Sequence, residues 1–159
     1  MIASRRGRRR TGLVSARRQA GFNIIELMVT IVVLIVLATV ALPAYQDSIL
    51  RSGRTAAKGA LMEVVMRQEQ HFLNNRGFST NLTDLGLPDP YFVDMSSSTV
   101  DSADAERVYK ITLADATASS YSAVATPVRE QTEDVCGAFQ LSSEGVRSVS
   151  GAAGSDICW

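Results

Sequence analysis

Histidine occurs once in the 159 residues, at position 71, and cysteine only at positions 136 and 158. A lone histidine near a helix end is ordinarily a surface or capping residue, and without a second one or a free thiol pair there is no metal-ligand spacing. No Cys-x-x-Cys is present, which argues against a dithiol redox enzyme. No glycine-rich phosphate loop occurs, and the many serines lack a marked nucleophile opposite His71. The acids are scattered rather than paired. No cofactor and no metal are expected, and the chain reads as a non-enzyme. Two further absences are local. Residues 1–21 contain no acid, against seven arginines (5, 6, 8, 9, 10, 17 and 18). Residues 27–42 contain no charge at all, and Thr30 and Thr39 are their only polar side chains.

The formal charge of zero therefore hides an asymmetry. Beyond residue 21 there are nine Lys+Arg against sixteen Asp+Glu, a net −7. A basic head before an apolar run stays on the cytoplasmic side of a membrane, which puts the acidic body on the far side. Such acidity favours solubility and argues against a nucleic-acid surface spread over the whole domain.

From Phe22 to Gln46 there are twenty-five residues with one charge. At the helical rise they span ~37 Å, enough to cross a ~30 Å bilayer core with some tilt. A secretory signal peptide is the alternative, but its apolar region is shorter and ends at a small-x-small site. Leu42-Pro43-Ala44-Tyr45 is a poor site of that kind. The small residue placed for cleavage is Gly21, ahead of the run, where a cut would leave the apolar helix at the new N-terminus. Glu26 is the odd residue, since a carboxylate at mid-bilayer costs ~2.5–3.5 kcal/mol on insertion scales. Either it is hydrated at the interface, or it meets a cation on assembly. The free amine of a new N-terminus at Phe22, four residues away, is such a cation, and a staggered neighbour would bring it within reach.

Gly21-Phe22-Asn23-Ile24-Ile25-Glu26-Leu27-Met28, followed by Ala41-Leu42-Pro43-Ala44-Tyr45-Gln46-Asp47, resembles the N-terminal signal of type IV prepilins. The resemblance implies cleavage by prepilin peptidase between Gly21 and Phe22, N-methylation of Phe22, and Glu26 as the assembly carboxylate. Asn23 stands where Thr or Ser is common, and the leader of 21 residues is long; neither removes a required group. Pro43 is expected to kink or loosen the helix, because it cannot donate a backbone hydrogen bond.

Downstream, Tyr45, Ile49, Ala56, Ala60, Leu61, Val64, Val65, Gln68 and Phe72 recur at helical spacing, with Asp47, Arg51, Arg54, Lys58, Arg67 and Gln70 between them. Gly53 and Gly59 each cost ~1 kcal/mol of propensity relative to Ala, and mark either a close approach or a weak spot. Asn74-Asn75-Arg76-Gly77 ends the helix. Residues 77–106 read as a long connection, anchored by Leu82, Leu85, Leu87, Tyr91 and Phe92, with a short helical turn near Thr83–Gly86. Asn81-Leu82-Thr83 fits a glycosylation tripeptide, read as coincidental. Four strand-like runs follow, at Val108–Leu113, Tyr121–Thr126, Ala138–Ser142 and Val146–Val149, with short connections that argue for an antiparallel meander against the helix.

The expected fold is α+β: a long N-terminal helical spine, half of it transmembrane, packed on a four-stranded antiparallel sheet. The expected organisation is a leader (1–21), a transmembrane or filament-core half-helix (22–46), and an exported pilin domain (47–159). That domain divides into an amphipathic helix (47–74), a loop (75–106), and a sheet with a disulfide region (107–159). Cys136 and Cys158 are either two buried thiols or a disulfide. An oxidising compartment favours the bond, which closes about twenty-three residues and is worth ~3 kcal/mol in the chain-entropy model. The resemblance likewise implies the C-terminal disulfide loop of pilins, and with Ala125-Thr126-Pro127, Cys136-Gly137 and Cys158-Trp159 it extends to PilE-like minor pilins. It implies a type IV pilus subunit in the inner membrane and then in the extracellular fimbrium, serving twitching motility, adhesion, biofilm formation or DNA uptake. Its partners would be other pilin subunits, prepilin peptidase and the inner-membrane assembly platform. Two alternatives are a type II secretion pseudopilin and, from another class, a DNA-binding pilus receptor, which would need a basic stripe such as Lys110, Arg129 and Arg147.

Overall fold

Asn23 opens the first helix of the computed structural model, which describes residues 23–159. Its carbonyl accepts from Leu27 N at 3.1 Å and its side-chain oxygen from Ile25 N at 3.4 Å, so it caps the first turn. Helix α1 runs from Ile24 to Asn75 with Pro43 inside it. Two units divide the chain, one ending at Val40 and the other spanning Ala41–Trp159. In the first, every described side chain is exposed.

In the second unit α1 buries Gly53, Ala56, Ala57, Ala60, Leu61, Val64 and Gln68, a stripe at spacings of three and four. The expected stripe is therefore narrower at both ends: Tyr45 is 66% exposed and Phe72 39%. Gln68, fully buried, donates to Ser79 O at 2.8 Å and accepts from Ser79 N at 2.9 Å, which satisfies its amide on both sides. The helix ends where Arg76 turns left-handed (φ 58°) and returns its N–H to Phe72 O. His71 Nδ1 donates to Gly77 O at 2.9 Å, the capping role expected of it.

The sheet is antiparallel throughout, in the order β2-β1-β3-β4-β5-β6. Its last four strands, β3 (Tyr109–Ala114), β4 (Ser122–Pro127), β5 (Phe139–Ser142) and β6 (Arg147–Val149), are the expected meander. The count of four was too low, and residues 75–106 are not all loop: β1 (Tyr91–Val93) and β2 (Thr99–Val100) add a hairpin beside β3. Strands of three and two residues are too short to display alternation in sequence. A 3₁₀ turn at Thr83–Leu85, closed by left-handed Gly86, seats Leu82, Leu85 and Leu87 in the core. Tyr91, Tyr109, Ile111, Ala123, Ala125, Phe139 and Leu141 face the stripe of α1, and these surfaces form one apolar cluster. A four-residue helix, α2 (Ser155–Cys158), ends the domain.

Candidate functional site

The first candidate surface is the apolar run itself. From Ile24 to Leu42 its large side chains stand exposed, and α1 is long and apolar enough to cross a membrane. Thr30 and Thr39 turn their hydroxyls onto Leu27 O (2.8 Å) and Val36 O (2.7 Å), so neither interrupts the apolar surface with a free donor. Glu26 is the only charge there, exposed in the first turn, where the helix dipole favours an anion. Gly21 and Phe22, the expected sites of cleavage and methylation, lie outside the described residues, as does any amine that Glu26 would meet.

The second surface is built around the C-terminal third. Cys136 and Cys158 are joined by a disulfide, with Cα atoms 5.8 Å apart. Two residues before the first cysteine, Asp134 is buried and accepts from four directions. Arg54 of α1 donates from Nε (2.8 Å) and from the terminal guanidinium nitrogen (2.7 Å), Gln131 Nε2 from 2.9 Å and Cys136 N from 2.9 Å. The hydrogen bond to Asp134 raises the Arg54 pKa above its ordinary value, so the guanidinium stays charged. Gln131 reaches on to Leu50 O at 3.1 Å. It lies so close to Gly53 that a Cβ there would overlap its carboxamide. Gly53 is thus a close approach, one of the two readings its sequence position allows.

Beside this anchor, Arg51, Arg54, Thr55 and Lys58 of α1 and Ile157–Trp159 line a cleft of about 420 Å³. Lys58 Nζ donates to Cys158 O at 3.1 Å. The Trp159 indole donates to Ser148 O at 3.1 Å and packs edge-on against Phe139, and the Arg147 guanidinium lies 5.3 Å above its ring. The cleft offers positive charge beside an aromatic ring, which is anion-attracting chemistry rather than a set of reacting groups. Among the described residues, no group of three or more His, Cys, Asp or Glu is placed to hold a metal.

The basic stripe expected from Lys110, Arg129 and Arg147 is not what forms here. Lys110 sits on the sheet face away from α1, and Arg147 lies over Trp159. Arg129, left-handed at φ 56°, lines a separate groove of about 460 Å³ with Ile49, Leu50 and Val128. Beside Arg54, the cations that line the cleft are Arg51 and Lys58. Their spacing with Arg54 (i, i+3, i+7) was visible, but on an amphipathic helix it also describes an ordinary solvated face.

A family model described as "Type IV minor pilin ComP, DNA uptake sequence receptor" matches residues 43–140, more than half of the chain. The chain belongs to the type IV minor pilin ComP family. Among individual proteins, the chain is similar to the type IV major alpha-pilin of Moraxella bovis, 51% identical over 43 residues, 27% of each chain. It is also similar to the type IV major pilin protein PilE1 of Neisseria gonorrhoeae, 34% identical over 79 residues, 45% of this chain and 44% of that one. The matches thus span between about a quarter and under half of these relatives' length. A solved type IV pilin from Shewanella oneidensis aligns with 69% of this chain and 97% of its own, at 22% identity and a TM-score of 0.46. The α+β architecture of helix, antiparallel sheet and C-terminal disulfide is that of the pilin family to which the chain belongs.

Proposed function

We propose that the chain is a structural, minor subunit of a type IV pilus. The observation that carries this reading is the apolar run of α1, exposed on every side and holding one carboxylate, on a member of a minor pilin family. In water that surface is unsatisfied; a bilayer covers it before assembly and the helices of neighbouring subunits cover it afterwards. Prepilin peptidase cuts between Gly21 and Phe22, Phe22 is methylated, and residues 22–46 span the inner membrane with residues 47–159 outside. The assembly platform then extracts the subunit, and Glu26 meets the Phe22 amine of a neighbour. Pro43 supplies the point at which the helix loosens during that transfer. Family membership favours this over a type II secretion pseudopilin.

Mass spectrometry of sheared pili tests the reading. Glu26→Ala is expected to be processed and membrane-inserted normally, yet to fall about tenfold or more in the filament, the loss of one desolvated charge pair. Incorporation at the normal level would remove Glu26 from assembly. Absence of the unaltered chain from sheared pili, together with a secretion defect on deletion, would move the protein to the pseudopilus.

A second reading, a DNA receptor within that pilus, draws on the family description and on the cleft lined by Arg51, Lys58 and Trp159, with the Arg147 guanidinium over the Trp159 ring. Cations beside an aromatic ring suit phosphates and an adjacent base or sugar. Replacing Arg51 and Lys58 by Ala would lower duplex affinity and flatten its salt slope by about two phosphate contacts. Unchanged DNA binding in that double variant would leave the cleft without this role.

A further inference from the structure

The cleft beside the Arg54–Asp134 anchor has an uneven charge balance. Among the described residues it is lined by three cations, Arg51, Arg54 and Lys58, and by no acid, although Asp47 stands one turn ahead of Arg51 along α1. Asp134 neutralises Arg54, and neither Arg51 nor Lys58 takes part in an ion pair among the described residues. Ile157, 73% exposed, and Trp159 give the cleft an apolar wall. Lys58 commits one donor to Cys158 O, which ties that wall to α1. The surface is therefore cationic on its helix side and apolar on the other.

Position along α1 selects what meets it. Leu42 and Tyr45 are both exposed, and tyrosine suits the bilayer interface, with its ring at the apolar margin and its hydroxyl among headgroups. Arg51 follows Tyr45 by six residues, ~9 Å at the helical rise, and side chains on a helix lean toward its N-terminus. A headgroup layer ~5–8 Å thick on each side of the hydrocarbon therefore lies within reach of the Arg51 guanidinium. Lys58 is two turns further out. A phospholipid with a negative headgroup matches both sides of the cleft, with phosphate for the cations and glycerol and acyl carbons for Ile157 and Trp159. Duplex DNA matches the cations alone. The Trp159 ring is already partnered, its N–H donating to Ser148 O and its face covered by Arg147, which leaves little for a base to stack on.

We propose that this cleft binds the headgroup of an anionic phospholipid in the outer leaflet of the inner membrane. Arg51 takes the phosphate, Lys58 adds positive field from the far end, and Ile157 and Trp159 rest on the glycerol and the first acyl carbons. The proposal rests on the reading that residues 22–46 span that membrane. Trp159 is the only tryptophan of the chain, so its fluorescence reports on the cleft directly. The full chain is reconstituted in phosphatidylcholine vesicles holding a minor fraction of phosphatidylglycerol, with bromine on the acyl chains of one lipid or the other as a short-range quencher. Brominated phosphatidylglycerol is expected to quench Trp159 several-fold more per mole than brominated phosphatidylcholine, and salt is expected to reduce the difference. Arg51→Ala combined with Lys58→Ala is expected to lower that preference about tenfold or more, with Arg51→Ala alone the larger of the two single effects. Lys110→Ala, on the sheet face away from α1, should leave it unchanged. Thermal unfolding checks that each variant is folded.

Flotation of the vesicles separates the two levels of failure. A chain that does not float with them would overturn the membrane-spanning reading and this proposal with it. A chain that floats, but whose Trp159 is quenched equally by both lipids, would overturn this proposal alone, as would an undiminished preference in the folded double variant. Inorganic phosphate that competes as well as added phosphatidylglycerol would make the cleft a free-phosphate site and remove the lipid assignment. A change in Trp159 emission with duplex DNA, and none with phosphatidylglycerol, would give the cleft to nucleic acid instead.

Discussion

Residues 24–40 and 53–68 lie in the same helix and follow opposite rules. The first stretch exposes every side chain and is built from Ile, Val, Leu and Met around the whole circumference. The second buries seven residues along one stripe, most of them Gly and Ala, and carries Arg, Glu and Lys elsewhere. Burying a large aliphatic side chain is worth ~1.5–3 kcal/mol, so the first stretch leaves a large stabilisation uncollected within the chain. The second gains less per side chain, but its small residues let the Gln131–Asp134 turn close on the helix. One stretch is shaped for surroundings that the chain does not supply, and the other for its own sheet.

Asp134 provides the severest way to break that contrast. If the second stretch is held by its anchor to the C-terminal third, Asp134→Ala should cost ~3–5 kcal/mol, because it leaves the Arg54 charge largely desolvated and unpaired. Gln131 and Cys136 N lose an acceptor at the same time. Urea unfolding of the full chain in detergent measures this, and a loss below ~1 kcal/mol would mean that water replaces the carboxylate. Next in size is a matched pair of leucines. Leu61→Ala removes a fully buried side chain and should cost ~2–5 kcal/mol. Leu34→Ala, 64% exposed, should leave domain unfolding within ~0.5 kcal/mol and affect only membrane or filament packing. Equal losses for the two would show that the halves are not energetically distinct.

How far these features could be read beforehand depended on their range along the chain. The apolar run, its lone Glu26, the stripe of α1 and the β3–β6 meander are local patterns, and the disulfide followed from compartment and a count of two. The Arg54–Asp134 pair is separated by 80 residues, and nothing in either neighbourhood marks the other as its partner. Gln131, in a polar stretch between strands, is buried against Gly53, and nothing local in its sequence marks it for the core. The β1–β2 hairpin was obscured because Pro88, Pro90 and the serines at 96–98 surround strands only two and three residues long. The cationic cleft needed the fold to carry Cys158 and Trp159 to the helix face of Lys58, which meets Cys158 across 100 residues of chain.

The smallest expected effect concerns two tyrosines near the second stretch. Tyr91 is buried with its hydroxyl donating to Glu63 at 3.0 Å, and burial first, then that hydrogen bond, push its pKa up to about 12. Tyr121 is also pushed up to about 12 by burial, but its hydroxyl has no partner among the described residues. Both phenols ionise near pH 10 when unfolded. Each therefore contributes stability that is complete below pH 10 and is lost as pH rises towards about 12, since the unfolded chain releases its proton first. The two should part on substitution. Tyr91→Phe removes a made hydrogen bond and strips Glu63 of a donor, at ~0.5–1.5 kcal/mol near neutral pH. Tyr121→Phe removes a hydroxyl that is desolvated without return, so at neutral pH it should be neutral or slightly stabilising, and between pH 10 and 12 it should unfold less readily than the unaltered chain. Thermal melts across that interval separate the cases. Destabilisation by Tyr121→Phe at pH 7 would mean that its hydroxyl is satisfied after all, through a water or a neighbouring subunit at the Phe72–Phe78 cluster.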